Sequence, residues 1–193
     1  MSYNSASMDN FAPAYDAIIE RSLMLVNKDQ EYTASTASLD EGRKRTYRLI
    51  FVDSLALLVT RSAVYWASTN VELYQGQDLD LGWAYLPSDF LTFYDTYSKK
   101  AICSPYIKYI KNRAVAKKAG QAIDYLRLPL EIDEFPIVFV EALKYLFLRN
   151  CIMLDIGFQA LAPFIEDKYR GAIHNLDVEI NNIIVVKKRR NYD

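Results

Sequence analysis

The chain is poor in the residues from which catalytic and metal centres are usually built. Its 193 residues include one histidine and two cysteines, and Cys103 and Cys151 lie far apart with no metal-ligand spacing around them. The motifs GxxxxGKS, GxxxxGKT, GxGxxG, GxSxG, HExxH and CxxC are all missing. The usual signals of nucleotide, hydride, hydrolytic and zinc chemistry are therefore absent. We predict that the protein is not an enzyme and needs no cofactor.

Long apolar runs and targeting signals are also missing. The richest apolar stretch, Phe135 to Leu148, contains Glu141 and Lys144 and is shorter than the ~20 residues of a membrane span. The first residues, MSYNSASMDN, lack the basic region of a signal peptide. No Asn-x-Ser/Thr glycosylation acceptor occurs. These features predict a soluble protein that is made in a reducing cytoplasm and has no membrane anchor.

Charge is balanced in total but divided into blocks. The net charge is −1, yet Glu72 to Asp95 holds five acids and no base, and Lys99 to Arg127 holds eight bases and one acid. Such blocks can bind nucleic acid or dock one subunit on the next. Fifteen tyrosines favour contacts between proteins, where tyrosine is enriched.

The basic block could grip a phosphate backbone, because tyrosines that could stack on bases are interleaved with its cations. Its members are Lys99, Lys100, Lys108, Lys111, Arg113, Lys117 and Lys118, with Tyr106 and Tyr109 among them. A solvated or subunit-facing hairpin is the favoured alternative, since an equally long acidic block comes just before it.

Helical periodicity brackets a region with β character. We predict helices from about Phe11 to Val26, from a capping box at Ser38–Glu41 to near Trp66–Asn70, from Asp133 through an apolar segment, and from about Ala160 to Asn181. The apolar side chains expected inward on the last of these are Phe164, Ile165, Tyr169, Ile173, Leu176 and Ile180.

The expected fold is mainly α. It is a four-helix bundle in a single domain over residues 1–182, with a small β-hairpin-containing insert over 71–127 and an extended C-terminal arm over 183–193. Short strands are expected at 71–74, 82–85 and 107–110, and Ala119-Gly120-Gln121 has the composition of a hairpin turn.

Three groups of residues could carry chemistry, and each has a simpler explanation. His174 has no nucleophile or second ligand near it in sequence, so we predict a solvated or packed histidine. Glu131, Asp133 and Glu134 could hold a divalent ion, but a helix N-terminus favours acidic residues. Asp78 and Asp80 lack the further oxygen ligands of a calcium loop, and we interpret them as solvated.

The C-terminal arm contains four apolar residues followed by four bases. These are Ile183, Ile184, Val185 and Val186, then Lys187, Lys188, Arg189 and Arg190. Apolar and charged residues both need partners, so we predict that an extended arm docks on a neighbouring sheet edge or groove and an acidic rim. The alternative is a frayed terminus.

Two segments carry a resemblance to a known family. They are the stretch LGWAYLPSDFL, which begins at Leu81, and the later passage DYLRLPLEIDEFP, which begins at Asp124 and precedes an apolar helix. In this order the segments resemble the head-to-tail adaptors of short-tailed phages, the tail tubular protein A family. The similarity covers most of residues 11–182, although the motifs are short and Asp95 to Lys118 matches poorly.

The resemblance implies a virion protein of the head-tail junction: a ring, usually of twelve copies, that joins the portal to the tail tube or nozzle protein and leaves a channel for DNA. DNA would pass without sequence-specific contacts. The expected subunit or portal interface consists of Tyr85, Leu86, Pro87, Asp89, Lys99, Lys100, Lys108 and Lys111 with the arm residues 183–190.

A nucleic-acid-binding packaging or regulatory protein is the alternative, and it would use Lys99 to Lys118 and the KKRR sequence. A small-molecule enzyme is the third hypothesis. Salt-dependent filter binding separates the first two, since DNA affinity that falls steeply with salt would favour a nucleic-acid-binding protein.

Overall fold

The structure, a computed structural model, describes residues 5–26, 41–62, 65–102, 107–110, 113–129, 135–152 and 156–190. Within these ranges the helices are α1 (Ser5–Val26), α2 (Glu41–Ser62), α3 (Ile137–Ile152) and α4 (Ala162–Arg190). The strands are β1 (Ser68–Glu72), β2 (Ala84–Tyr85), β3 (Phe90–Asp95), β4 (Lys100–Ile102), β5 (Ile107–Ile110), β6 (Arg113–Ala116) and β7 (Ala122–Arg127). Single 3₁₀ segments at Tyr65–Ala67 and Ile156–Leu161 connect some of these elements.

The chain forms two compact units. One, here called the β unit, comprises Met1–Phe11 and Ala56–Leu130, and the other, the helical unit, comprises Ala12–Leu55 and Glu131–Asp193. Each unit has its own buried apolar residues.

The helical unit is built around α3, whose apolar residues are buried on several sides of the helix. Phe139, Leu143 and Phe147 are each fully buried, and burial of one such side chain contributes roughly 1.5–3 kcal/mol. The ring of Phe51 on α2 meets Phe147 edge-on at 5.6 Å between centroids. Tyr15 on α1 lies 5.2 Å from Phe51, so aromatic rings from three helices form one continuous contact.

The β unit contains two antiparallel sheets. One has the strand order β1-β7-β3-β4 and the other β2-β6-β5. Side chains from both sheets share one hydrophobic cluster, formed by Leu73, Ala84, Leu86, Phe93, Ala116, Ile123 and Tyr125. The strands are two to six residues long. This short length explains why the sequence showed their β character only as separate, short alternating fragments.

The prediction of a mainly helical bundle with a small insert is wrong. The helices were expected, but the region between α2 and α3 forms two sheets with a core of their own, and the protein is mixed α and β. The sequence showed several short fragments with β character. It did not show that strands far apart in sequence pair with one another in each sheet. The last predicted residues of the second helix, Trp66–Asn70, instead include the start of β1. The Ser38 capping box lies outside the described residues.

The predicted hairpin at Ala119-Gly120-Gln121 is half correct. A turn exists, since the Gln121 amide donates to the Lys118 carbonyl at 3.2 Å and Gly120 has a φ of 74°, a conformation that glycine adopts without cost. However, the turn joins β6 of one sheet to β7 of the other. The hairpins with paired arms are β3–β4 and β5–β6.

The extended conformation predicted for the C-terminal arm is also wrong, because α4 continues to Arg190. No glycine or proline follows Gly171 to stop the helix. The β-branched residues 183–186 lower helix propensity by less than about 0.7 kcal/mol each, and the bases at 187–190 favour a helix C-terminus. Phe164, expected inward on α4, is 52% exposed, whereas Ile165 is buried.

Candidate functional site

One glutamine organises the loop between β1 and β2. In this loop, residues 75–82 and here called the Gln75 loop, Gln75 Nε2 donates to the carbonyls of Leu79 at 3.1 Å and Asp80 at 2.8 Å. Gln75 Oε1 accepts from the Gly82 amide at 2.8 Å. The loop backbone is therefore held from inside by an amide side chain. Leu81 stands on this loop and is 92% exposed.

Gly76 shows how closely the Gln75 loop is packed. A Cβ at this position would lie 2.6 Å from Leu79 Cδ1 and 3.2 Å from Tyr85 Cε2. Only a residue without a side chain fits there unless Leu79 moves.

A second braced loop, residues 96–99, connects β3 to β4. The Asp95 carboxylate accepts from the Tyr97 amide at 2.9 Å and from the Ser98 hydroxyl at 2.5 Å. These bonds, from Ser98 first and then the amides, lower the pKa of Asp95. Lys99 takes the left-handed conformation, with a φ of 55°. The loop presents Tyr97, which is 96% exposed.

The LPSDF segment forms a turn that is tied to β7. The Phe90 amide donates to the Pro87 carbonyl at 3.1 Å, and Tyr125 Oη donates to the Asp89 carboxylate at 3.1 Å. Burial raises the pKa of Tyr125, and the charge and hydrogen bond of Asp89 raise it further. Leu86 is buried in the core of the β unit, so its side chain does not reach a surface where a partner could bind.

The outer face of the three-stranded sheet combines cations with aromatic rings. Strand register places Tyr85, Val115 and Lys108 side by side on one face. Arg113 Cζ lies 3.9 Å from the centroid of the Tyr85 ring, and Lys108 Nζ lies 4.7 Å from the Trp83 ring. We call Trp83, Tyr85, Lys108, Arg113 and Lys117 the basic face.

Lys117 belongs to this face through its contact with the glycine beside Trp83. A Cβ at Gly82 would lie 3.8 Å from Lys117 Cε and Cγ. Lys108, Arg113 and Lys117 are exposed, while Val115 at the centre of the face is fully buried. Charge therefore lies at the rim of the face and apolar surface beneath it.

None of the cations on β4, β5, β6 and their adjoining turns is paired with a carboxylate within the part of the chain that the structure describes. They are Lys99, Lys100, Lys108, Arg113, Lys117 and Lys118; Lys111 lies outside the described residues. Lys99 and Lys100, at the β3–β4 turn, are exposed and close to Tyr97 in sequence.

Neutral groups hold several acids of the same unit. Tyr85 Oη donates to both oxygens of Asp78, at 3.0 and 2.9 Å, and Asn70 Nδ2 donates to Asp124 at 2.8 Å. Together with Asp89 and Asp95, these carboxylates serve the fold of the β unit.

The other candidates from the sequence form no site. His174 is exposed on α4, and Glu131, Asp133 and Glu134 lie outside the described residues. Among residues that are described, no group of three or more histidine, cysteine or acidic side chains could hold a metal ion. None of the helices, over the same residues, is long and apolar enough to cross a membrane. Residues 183–190 form the last turns of α4.

No protein-family model matches the chain, and no curated protein matches its sequence. The segment beginning at Leu81, which carries the resemblance to phage adaptors, supplies the end of the Gln75 loop, β2, the LPSDF turn and the start of β3.

The sequence interpretation included Tyr85 and Lys108 but missed Gln75, Leu81 and Tyr97 as parts of exposed, braced loops. For Tyr97 a signal existed, because Asp95 two residues earlier is the residue type that caps a turn with its carboxylate. For Gln75 none existed, since an amide that binds backbone up to seven residues away has no sequence pattern.

Proposed function

We propose that the chain is a structural subunit of a head-to-tail adaptor ring of a short-tailed phage, which joins the portal to the tail at the head-tail junction of the virion. The observation that carries this proposal is the pair of braced loops that present Leu81 and Tyr97. The resemblance of the LGWAYLPSDFL segment supplies the family.

A braced loop with an apolar tip suits a contact between proteins. Association costs conformational entropy for every residue that becomes ordered, and a loop already held by Gln75 or Asp95 avoids much of that cost. Tyrosine is among the residues that most often dominate binding energy, and burial of an exposed leucine is favourable because it removes apolar surface from water. Leu81 and Tyr97 are almost fully exposed in the single chain, so a partner surface would bury nearly all of each side chain.

The partners proposed are further copies of the chain, twelve to a ring as is usual in the family that it resembles. The other partners are the portal, the tail tube or nozzle protein, and DNA passing through the channel. The basic residues Lys99 and Lys100 beside Tyr97 suit an acidic surface on one of these proteins.

Mixing the chain with its portal and imaging the complex by electron microscopy tests the proposal, with the mass of the complex measured by light scattering. The double variant Leu81→Ser with Tyr97→Ser should remain folded and lose ring or portal association. Ile137→Ser is the matched control, because Ile137 is 85% exposed on α3 in the helical unit. Full assembly of the double variant, or no ring from the unaltered chain with its portal, would contradict the proposal.

The end of α4 is a second proposed contact. Deletion of residues 183–193 should leave the monomer folded and weaken association, and changing Lys187 to Arg190 to alanine should act mainly through salt-sensitive association. If the shortened chain assembles as tightly as the intact one, this segment takes no part in assembly.

A nucleic-acid-binding packaging or regulatory protein is the second candidate. The observation that favours it is the set of cations in the β unit that have no carboxylate partner among the described residues. Filter binding over a range of salt concentrations separates it from the adaptor: strong DNA affinity together with failure to assemble on a portal would favour this candidate.

A further inference from the structure

We propose that the basic face binds single-stranded nucleic acid through its phosphates, with Trp83 and Tyr85 contacting the bases. The site needs no second copy of the chain, since its residues belong to one face of a three-stranded sheet. It shares Tyr85 and Lys108 with the interface expected from the sequence, whereas Trp83, Arg113 and Lys117 lie outside that interface.

The spacing of the cations suits a strand of nucleic acid. Arg113 begins β6 and Lys117 follows its last residue, so the two positions are roughly 13 Å apart at 3.3 Å per residue. A single strand that runs along this line can place separate phosphates beside the two cations. Lys108 on the neighbouring strand β5 provides a third cation, about 5 Å across the sheet from β6.

The aromatic rings orient the cations without neutralising them. A guanidinium carbon 3.9 Å from the Tyr85 ring centroid places the flat group of Arg113 within stacking distance of the ring. Such a contact leaves N–H groups at the edge of the guanidinium to donate to phosphate oxygens. Lys108 beside Trp83 has the same arrangement at 4.7 Å. Each pair therefore offers a phosphate donor next to a ring on which a base can pack.

An anionic ligand would displace no ion pair on this face. Lys108, Arg113 and Lys117 have no carboxylate partner among the residues described. The acid closest in the hydrogen-bond network, Asp78, is held by the hydroxyl of Tyr85. The charge of Asp78 remains at the edge of the face, so the three cations and this one carboxylate (3 − 1) leave a net charge of +2 there.

The rings favour a single strand over a duplex or an acidic peptide. A sheet face with aromatic and basic side chains binds single strands because their bases are free to stack. A duplex keeps its bases paired, and an acidic peptide would contact the cations but gain nothing specific from Trp83 and Tyr85.

Fluorescence anisotropy tests the inference with three probes: a labelled oligothymidylate of about 16 nucleotides, a duplex of the same length, and a polyglutamate peptide. The single strand should bind most tightly. Three phosphate contacts predict that the logarithm of the binding constant falls with the logarithm of salt concentration with a slope of about −2, at −0.7 per contact.

Variants should separate the roles of charge and stacking. Lys108→Gln and Arg113→Gln should each reduce the slope to about −1.4 and weaken binding about fivefold at 0.1 M salt. Trp83→Leu should weaken binding about tenfold with the slope unchanged, because loss of a stacking contact releases no counterions. Arg170→Gln is the matched control, since Arg170 is an exposed arginine on α4 in the helical unit and should bind as the unaltered chain does.

Absence of binding, tighter binding of the duplex or polyglutamate, or an equal loss in Arg170→Gln would overturn the inference. Circular dichroism of each variant excludes unfolding as the cause of a loss. Measuring assembly on the portal with the same variants separates the two proposals. Arg113 lies outside the interface expected from the sequence, so Arg113→Gln should weaken oligothymidylate binding while retaining association with the portal.

Discussion

Several cations of the two units differ in the groups that they contact. In the helical unit, Arg48 pairs with Asp16 between α1 and α2, and Arg149 pairs with Glu166 between α3 and α4. In the β unit, Arg113 and Lys108 lie instead against aromatic rings. These two ion pairs join one helix to the next. Arg149 also lies 5.0 Å from the ring of Tyr169, but unlike Arg149 the cations Lys108 and Arg113 have no carboxylate partner among the described residues. Their charge therefore remains available to a ligand.

The difference matters more for binding than for stability. An exposed ion pair contributes roughly 0–1 kcal/mol, and a cation over an exposed ring contributes about 0.5–1 kcal/mol. Neither arrangement decides whether its unit folds, which depends on buried apolar side chains. The aromatic arrangement alone leaves a net positive field outside the protein, and this is the property that a polyanion would recognise.

The largest expected effect is on the core of the helical unit. Leu143→Asp should prevent soluble folding, because the residue is fully buried and a buried unpaired charge costs several kcal/mol against a total stability of about 5–15 kcal/mol. Leu146→Asp should act in the same way. Ile137→Asp, on the same helix but 85% exposed, is the control and should melt as the unaltered chain does. Normal melting of the Leu143 variant would show that α3 is not core.

A glycine from each unit gives the next comparison. Gly76→Ala in the Gln75 loop should destabilise the protein by about 1–3 kcal/mol, because its Cβ would overlap Leu79. At Gly171 on α4 a new Cβ would lie within 4 Å of no atom beyond its chain neighbours and the adjacent backbone of its own helix, so Gly171→Ala should stabilise the protein by about 1 kcal/mol. Urea unfolding measures both changes. Equal changes in the free energy of unfolding would mean that the Gln75 loop accommodates a Cβ as easily as the exposed surface of α4 does.

These two glycines also show which features of the fold could be predicted from the sequence. Gly171 lies in a helix that periodicity predicted, and its surroundings are formed by residues close to it in sequence. The importance of Gly76 depends on Leu79 and Tyr85 folding back over it, which only the register of β2 and the hydrogen bonds of Gln75 establish. For the same reason the strands were predictable as fragments, but their pairing, β1 with β7 and β2 with β6, was not.

The candidate site divides in the same way. Lys108 and Tyr85 were recognised by residue type, within a basic block and a family-like segment. Their position side by side on one sheet face depends on β6 lying between their strands, a contact between residues far apart in sequence. Periodicity within a single strand carries no information about which other strand it joins.

Alkaline pH should lower the stability of both units, because each contains a buried tyrosine. Burial raises the pKa of Tyr15 in the helical unit and of Tyr125 in the β unit above the ordinary value of 10.0. The folded state therefore favours the protonated phenol, so stability is constant with respect to these groups below pH 10. It then falls by up to about 1.4 kcal/mol per pH unit for each tyrosine.

Urea unfolding between pH 8 and pH 11 tests this expectation. Tyr15→Phe and Tyr125→Phe should each show a shallower loss of stability above pH 10 than the unaltered chain, whatever their stability at pH 8. Tyr97→Phe is the control, because Tyr97 is 96% exposed and should leave the pH dependence unchanged. An identical slope in all three variants would assign the alkaline loss to other groups.

The ion pair between α1 and α2 should contribute less. Asp16 accepts two hydrogen bonds from Arg48, at 2.9 and 2.6 Å, and both side chains are about one-third exposed. Asp16→Asn should cost about 1 kcal/mol, and less at high salt because ions screen the pair. Lys100→Gln, which removes a cation without a carboxylate partner, should change stability by less than about 0.5 kcal/mol at any salt concentration. A salt-independent loss in Asp16→Asn would show that the hydrogen bonds, and not the charges, hold the helices together.

The smallest expected effect is at His174, the chain's single histidine. It is exposed on α4 and is not part of any described cluster of metal-binding residues. His174→Ala should change stability by less than about 0.5 kcal/mol, with a slight gain favoured because alanine has the higher helix propensity. Association with the portal and binding of oligothymidylate should both stay as they are in the unaltered chain. Arg113→Gln, measured beside it, should bind oligothymidylate more weakly and fold normally. The charge of Arg113 lies on the basic face, whereas the imidazole of His174 does not. A large loss of assembly in a normally folded His174→Ala protein would place a functional contact on α4.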